Sequence, residues 1–173
     1  APVVNEAGQF YTALATMKIF CLLLVVALAS FCSGCSYYND ETHLFYDLSP
    51  IAGALFTLND SMGYTWEVAL CGPDVTTPCS GAVCQSDGLG NMYNCGSSEA
   101  QAFSPFLDDI TKNGVSVSYF NGQVCPSQGS ARYTHINIAC DPTAAGLVLE
   151  SAVEYSPCAY SLAARSSAAC GLA

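Results

Sequence analysis

The chain has 173 residues, with 4 basic and 14 acidic side chains, and a formal net charge of −10 at pH 7. Surfaces that bind nucleic acid or anionic membranes need a basic patch, so this charge argues against both kinds of partner. Hydrophobic residues make up 51% of the chain and charged residues only 10%, a composition that disfavours disorder and indicates a single domain with a sizeable core.

A short apolar segment near the N-terminus has the form of a secretory signal peptide. MKIFCLLLVVALA (17–29) joins one lysine to an apolar run and ends in a small-x-small sequence. The apolar run 19–31 is too short to span a bilayer comfortably, and a buried helix is the alternative interpretation. We therefore expect residues 1–16 to be an upstream extension, residues 17–29 a signal peptide and residues 30–173 the mature domain.

Several short runs downstream alternate apolar and polar residues between turn signals, which is the pattern of β-strands. The clearest are GYTWEVALC (63–71), GVSVSYF (114–120) and RYTHINIAC (132–140). A fourth, GLVLES (146–151), follows the turn-like DPTAAG. In the first run Trp66, Val68 and Leu70 share one face, so that face is expected to be buried.

The remaining local signals are one short helix and one tight turn. SPFLDDITKNG (104–114) predicts a helix that ends at Asn113-Gly114. Asn121-Gly122 is a dipeptide typical of β-hairpin turns. Together these patterns predict an all-β fold, a flattened antiparallel β-barrel or two-sheet sandwich stapled by disulfides.

The cysteines indicate disulfides rather than a metal site. Of eleven cysteines, Cys21 lies in the expected signal, and the even number that remains is typical of a secreted disulfide framework of up to five bonds. Cys32 and Cys35 have redox spacing, but no βαβ pattern surrounds them. The later cysteines form no paired C-x-x-C clusters, so the sequence predicts neither a metal site nor a cofactor.

Asn59-Asp60-Ser61 is an N-glycosylation sequon. Such a motif is weak evidence alone, but the secretory context supports it. We therefore predict that Asn59 is glycosylated and lies on a surface loop.

Four polar residues lie beside cysteines or predicted strands: Gln85 after Cys84, Arg132 at the head of 132–140, Glu150 near the end of 146–151, and Tyr160 two residues beyond Cys158. Each also has a purely structural interpretation. Gln85 would then be a loop amide, and Arg132 would belong to a surface ion pair. Glu150 would be a solvated strand end, and Tyr160 a core aromatic ring.

The order of motifs from FYDLSPI (45–51) to AAC (168–170) resembles the mannose 6-phosphate receptor homology (MRH) domain. Between these ends stand, in order, GYTWEVALC, AVCQ (82–85), GVSVSYFNGQVC (114–125), ARYTHINIAC (131–140) and LESAVEYSPCAY (149–160). The series covers nearly the whole expected mature domain, and its cysteine spacing makes it specific.

The resemblance implies a flattened β-barrel that binds mannose-containing N-glycans without catalysis. The family's sugar-contacting residues fall on Gln85, Arg132, Glu150 and Tyr160. The resemblance also implies two disulfides, Cys125–Cys158 and Cys140–Cys170. Cys35, Cys71, Cys79 and Cys84 have family-like places without an implied pairing, and a bond between the extra Cys32 and Cys95 is only a guess.

The chemistry of the four side chains suits a sugar. Arg132 has only donors, an ionised Glu150 only accepts, and Gln85 and Tyr160 can do both. The loop 121–132 places no Asp, His or Lys immediately before Cys125, and the net charge opposes a phosphodianion. The alternative is that backbone amides of that loop bind a phosphate. High-mannose glycans are therefore favoured over mannose 6-phosphate.

Two other classes of function compete with a lectin. A disulfide-rich structural or adhesion domain would keep the fold without binding sugar. A hydrolase would need a nucleophile and a base, but the only histidines are His43 and His135 and no G-x-S-x-G motif appears. We therefore predict a non-enzymatic lectin of the secretory-pathway lumen or the extracellular space, in glycoprotein sorting or quality control, without a membrane span in this chain.

Overall fold

The computed structural model describes residues 34–75, 79–106 and 113–173, and a single folded unit spans Cys35–Ala173. Its described residues form ten β-strands: β1 (Ser36–Asn39), β2 (Leu44–Asp47), β3 (Leu55–Asn59), β4 (Thr65–Ala69), β5 (Val83–Ser86), β6 (Met92–Pro105), β7 (Gly114–Phe120), β8 (Tyr133–Cys140), β9 (Val148–Ser156) and β10 (Ala159–Ser166). Two 3-10 turns, Ser49–Ile51 and Ser167–Ala169, complete the described elements. None of the helices in this part of the chain has the length and hydropathy that a membrane span requires.

Eight strands form one sheet in the order β3-β4-β5-β6-β7-β8-β10-β9, while β1 and β2 form a separate hairpin. The edge strands β3 and β9 approach each other, so the sheet is a nearly closed barrel. The predicted all-β barrel is therefore confirmed. The expectation of purely antiparallel pairing is wrong at one place, because β10 forms a hairpin with β9 and inserts beside β8, to which it runs parallel.

The barrel interior is filled by the apolar faces that the sequence patterns predict. Trp66, Val68 and Leu70 are fully buried. Strand β7 is buried on both faces and β8 on one, so their buried polar residues need internal partners. Ser116 donates to the Asn137 amide oxygen, and the Thr134 hydroxyl donates to the Cys95 carbonyl at 2.8 Å.

Two local predictions differ from the structure. The predicted helix 104–114 begins on residues that end β6 and finishes on the first residue of β7, and its middle, 107–112, lies outside the described residues. Asn121 does adopt a left-handed conformation, with φ 57°, but no two-residue hairpin follows it. The connection from β7 to β8 is instead the long loop 121–132, pinned by a disulfide at Cys125.

Both disulfides implied by the family resemblance are present, Cys125–Cys158 and Cys140–Cys170. The structure also pairs the four cysteines left without an implied pairing, as Cys35–Cys71 and Cys79–Cys84. Cys95 has a free, buried thiol. Its suggested partner Cys32, like the expected signal peptide and upstream extension, lies outside the described residues.

Candidate functional site

A polar cavity of about 230 Å³ opens among β4, β5, β6, β9 and β10 and the loop before β8. The side chains that line it are Tyr64, Gln85, Asp87, Tyr93, Arg132, Glu154, Cys158 and Tyr160. It is smaller than the ~300–1,000 Å³ pockets that hold drug-sized ligands, which suits a single small ring. Three of the four residues predicted to bind sugar, Gln85, Arg132 and Tyr160, thus lie together, and Glu150 does not.

Strand register places Gln85 in the cavity wall. Gln85 on β5 lies directly opposite Trp66 on β4 and Tyr93 on β6. Directly opposed residues of antiparallel strands point to the same face of a sheet, so these three side chains form one row on the cavity side. Gln85 is 7% exposed, which excludes its alternative interpretation as a loop amide.

The main chain around Arg132 is fixed by the loop that precedes it. Its amide donates to the Gln123 carbonyl, its carbonyl accepts from the Gly122 amide, and both distances are 3.0 Å. The Cys125–Cys158 disulfide ties the same loop to the turn between β9 and β10. The arginine therefore enters the cavity from a rigid support.

The guanidinium of Arg132 is buried and only partly satisfied. The residue is 8% exposed, its Cζ lies 4.7 Å from the centroid of the Tyr93 ring, and its Nη1 donates to the Tyr160 hydroxyl. Its Nε is buried and has no hydrogen-bond partner among the described residues. A buried donor without a partner is costly, and this cost falls on an atom sealed inside the protein.

Tyr160 forms the floor of the cavity. It is 1% exposed and packs edge-to-face on Trp66, with ring centroids 5.1 Å apart. Burial raises the pKa of the Tyr160 hydroxyl to about 12, and nearby Cys95 adds to this rise. Arg132 acts in the opposite direction and lowers the pKa. The phenol is therefore neutral at physiological pH, and while it accepts from Arg132 its own proton remains to be donated.

One carboxylate of the cavity is Glu154, which the sequence analysis missed. Glu154 on β9 lies directly opposite Tyr160 on β10. Its Oε1 accepts from the Cys158 amide at 2.6 Å, and this bond holds the carboxylate at the strand end. The acceptor Oε2 remains for a ligand.

Glu150 lies outside the cavity, at a β-bulge four residues before Glu154 on β9. Ala163 pairs with Ser151 whereas the next residue, Ala164, pairs with Leu149, so Glu150 is the extra residue of β9. An extra residue reverses the inward and outward alternation of a strand. Glu150 is accordingly exposed, and its Oε1 accepts from Arg165 Nε at 2.9 Å. Glu150 therefore occupies a solvated strand position, which is the purely structural interpretation given for it in the sequence analysis.

The sequence did contain a signal for Glu154. The predicted strand 146–151 ended too early, whereas β9 continues to Ser156. Pro157-Cys158 is a turn pair, and residues equally far from a hairpin turn face each other. Counting outward from that turn places Tyr155 opposite Tyr160; a bulge at Tyr155 shifts the partner by one residue to Glu154, whereas Glu150 lies four residues further along β9.

The cavity carries more negative than positive charge. Two carboxylates, Asp87 and Glu154, accompany the single guanidinium of Arg132. The Asn91 side chain, together with backbone amides, lowers the pKa of Asp87 and keeps it ionised. Within the described ranges, no group of three His, Cys, Asp or Glu residues is placed to hold a metal ion.

Asn59 is the last residue of β3 and is exposed. Its Oδ1 accepts from the Thr65 hydroxyl at 2.8 Å, and the next residue, Asp60, begins the turn to β4. An oligosaccharide has room at such a position, and glycosylation of Asn59 remains a prediction.

We expect Tyr160→Phe to lower the free energy of unfolding by about 1–3 kcal/mol, because it leaves a buried Arg132 donor without its acceptor. Urea denaturation followed by intrinsic fluorescence measures the change. Tyr38→Phe is the control, since Tyr38 is half exposed, and its effect should stay within about 0.5 kcal/mol. Equal effects of the two substitutions would contradict the assigned bond.

The chain is similar to solved receptor domains, although no family model and no curated protein matches it. Chicken IGF2R domain 11 superposes with a TM-score of 0.60 at 20% identity, over 79% of this chain and 90% of that chain. Domain 11 of the echidna mannose 6-phosphate/IGF2R receptor gives 0.58 at 22% identity, over 80% and 95%. The MRH domain of glucosidase II beta, solved bound to mannose, superposes less closely at 0.44. The receptor-domain likeness shows that this chain has a β-barrel fold of the mannose 6-phosphate receptor homology type.

Proposed function

We propose that this domain is a lectin module that binds a terminal mannose of N-glycans in the cavity, through Gln85, Arg132, Glu154 and Tyr160. The observation that carries the proposal is the convergence of these donors and acceptors in one small, rigid cavity. Compared with the sequence-based prediction, Glu154 takes the role given to Glu150.

The hydrogen-bond donors and acceptors of the cavity match the hydroxyls of a hexose. Each hydroxyl both donates and accepts, so it needs an acceptor such as Glu154 and a donor such as Arg132. Mannose differs from glucose in its axial 2-hydroxyl beside an equatorial 3-hydroxyl. A site with fixed groups of both kinds discriminates such isomers, because a misplaced hydroxyl leaves buried partners unpaired.

The charge of the cavity favours neutral mannose over mannose 6-phosphate. A phosphate carries nearly two negative charges at pH 7 and is usually bound by several cationic groups. Here one guanidinium is offset by the carboxylates of Asp87 and Glu154. High-mannose N-glycans are therefore the proposed ligands, and the glycoproteins that carry them the proposed partners.

The disulfides support a place in an oxidising compartment. The described residues contain four bonds, a density typical of secreted and lumenal domains. We therefore place the domain in the lumen of the secretory pathway or outside the cell, where it would bind glycoproteins without catalysis during their sorting or quality control.

The test compares two glutamates on one strand. The oxidised wild-type domain, Glu154→Gln and Glu150→Gln are applied to an array of high-mannose, phosphomannosyl, glucosylated and galactosylated glycans. The wild type should bind the high-mannose members. Glu154→Gln should bind them about tenfold or more weakly, since it loses a charge-assisted hydrogen bond, while Glu150→Gln should bind as the wild type does.

Each deviation identifies a different error. Loss of binding in Glu150→Gln alone would overturn the assignment of the carboxylate. Binding confined to phosphomannosyl glycans would keep the cavity but reject neutral mannose. Absence of binding by a folded wild type would leave a structural or adhesion domain in place of a lectin.

A further inference from the structure

The cavity contains a second carboxylate, that of Asp87, which the proposed contacts to mannose do not use. Asp87 comes directly after β5 and two residues after Gln85. Because side chains of an extended chain alternate between the two faces of a sheet, Asp87 continues the row of Gln85 on the cavity side. A charged side chain beside a site for a neutral sugar needs an explanation of its own.

The turn that follows β5 fixes the position of this carboxylate. Asp87 Oδ1 accepts from the Leu89 and Asn91 amides at 2.9 and 3.1 Å, and its Oδ2 accepts from Asn91 Nδ2 at 2.6 Å. Gly88 and Gly90 have positive φ angles, 70° and 94°, which allow the turn to close on itself. The negative charge is therefore held at the cavity wall and not carried on a freely moving side chain.

The same bonds keep Asp87 ionised without offsetting its charge. The side chain of Asn91 is the main cause that lowers the pKa of Asp87, and backbone amides add to it. Amides are neutral donors, so they satisfy the carboxylate oxygens but supply no positive charge. A ligand that enters the cavity therefore meets Asp87 as an anion.

Asp87 also decides the sign of the charge in the cavity. The other charged side chains of its lining are Arg132 and Glu154, which carry opposite charges. With Asp87 ionised, the negative sign prevails, whereas without it the two signs would balance. The hydroxyls of a neutral sugar are little affected by this excess, but a phosphate carries nearly two negative charges and is repelled.

We propose that Asp87 determines the specificity of the cavity, as an electrostatic filter that admits neutral mannose and excludes mannose that carries a phosphate. This rests on the proposed function of the cavity and assigns its preference for neutral mannose to one side chain outside the four proposed contacts. Neutralising Asp87 should therefore change which sugar the domain prefers, while the contacts to the sugar ring stay in place.

The test compares Asp87→Asn with the matched control Asp47→Asn. Asparagine keeps an Oδ1 that accepts from the turn amides, and rotation of the Asn91 side-chain amide lets Asn91 accept from the new Nδ2 group. Asp47 makes the same kind of bond, in which its Oδ1 accepts from the Ser49 amide at 3.0 Å, but it does not line the cavity. Both variants lose one negative charge, and only Asp87→Asn loses it inside the cavity.

NMR titration of the oxidised domain gives the affinities for methyl α-mannoside and for its 6-phosphate, at ~10 mM and ~150 mM salt. Both ligands have the same ring, so the ratio of their dissociation constants isolates the effect of the phosphate. The wild type should bind the neutral sugar at least about tenfold more tightly at low salt. Asp87→Asn should reduce this preference about five- to tenfold at ~10 mM salt and about threefold at ~150 mM, since salt screens the repulsion. Asp47→Asn should keep the wild-type preference.

An unchanged preference in Asp87→Asn, an equal change in Asp47→Asn, or a change that does not depend on salt would each overturn the filter alone. Should Asp87→Asn misfold, Asp87→Ser repeats the test, because a serine hydroxyl also accepts from the amides of such a turn. If a folded wild type binds neither ligand, the proposed function is overturned and the filter with it.

Discussion

Arg132→Ala is expected to weaken the binding of methyl α-mannoside by about 100-fold or more. Charge-assisted hydrogen bonds contribute about 1.5–3 kcal/mol each, and the guanidinium has N–H donors besides the one that it gives to Tyr160. The substitution also leaves the negative charges of Asp87 and Glu154 without their counter-ion. Calorimetric titration measures the affinity, and thermal unfolding checks that the variant is folded.

Arg132→Lys should be nearly as defective. Lysine keeps the charge but has a compact ammonium, which cannot reproduce a planar fork that stacks over Tyr93 and donates to Tyr160. Arg165→Ala is the matched control, because Arg165 is exposed and ion-paired with Asp141 and Glu150 on the outer face. Normal affinity in Arg132→Lys would show that charge alone is needed, and weakened affinity in Arg165→Ala would show that the effect is not specific to the cavity.

The strand patterns predicted the core because alternation directly reports which face is buried. GYTWEVALC placed Trp66, Val68 and Leu70 on one face, and all three are fully buried. The runs 114–120 and 132–140 correspond to β7 and β8 almost residue for residue. What alternation does not report is the order of strands in the sheet. The parallel pairing of β8 with β10 depends on where the β9-β10 hairpin inserts into the sheet. That position is set by tertiary packing and not by the local sequence.

The sequence identified residues that line the cavity where a residue has a fixed neighbour in the sequence, and their role in sugar binding stays a prediction. Gln85 follows a disulfide-bonded cysteine inside β5, and Tyr160 follows Cys158 inside β10, so their directions are set locally. Glu150 was assigned from the family resemblance and lies outside the cavity, because the order of motifs does not report the bulged register of β9. A first bulge, at Tyr155, places Glu154 opposite Tyr160, and a second, at Glu150, lies further from the turn.

The sequence predicted a short helix over 104–114, ended by Asn113-Gly114. The same segment begins inside β6, a strand of 14 residues whose sequence has no clean alternation. A bulge in its pairing with β7 separates Ser97 from Gln101, which explains the broken pattern. At Ser104 and Pro105 local propensity was overridden by pairing with Ser116 and Val115 of β7.

The disulfide between Cys125 and Cys158 links the two segments that build the cavity. Cys125 lies in the loop that supports Arg132, and Cys158 lies in the turn that holds Glu154 through its amide. A further backbone bond, from the Tyr133 amide to the Cys158 carbonyl at 3.3 Å, joins the same segments. The distance between Arg132 and Glu154, the donor and the acceptor proposed to bind mannose, thus depends on this disulfide.

Replacing both cysteines, Cys125→Ala with Cys158→Ala, should lower the free energy of unfolding by about 4 kcal/mol and also abolish mannose binding. The stability loss follows from loop closure over a sequence separation of 33 residues. The loss of binding follows because Arg132 and Glu154 would no longer be held at a fixed distance. Removing both partners also prevents a new bond to the free thiol of Cys95.

The control is Cys140→Ala with Cys170→Ala, whose separation of 30 residues predicts nearly the same stability loss, about 4 kcal/mol. Neither cysteine lines the cavity, so this variant should still bind methyl α-mannoside at a temperature where it is folded. Urea denaturation and calorimetry on the two double variants therefore separate stability from geometry. If both double variants retain binding, hydrogen bonds alone hold the cavity. If both lose binding, binding merely follows global stability.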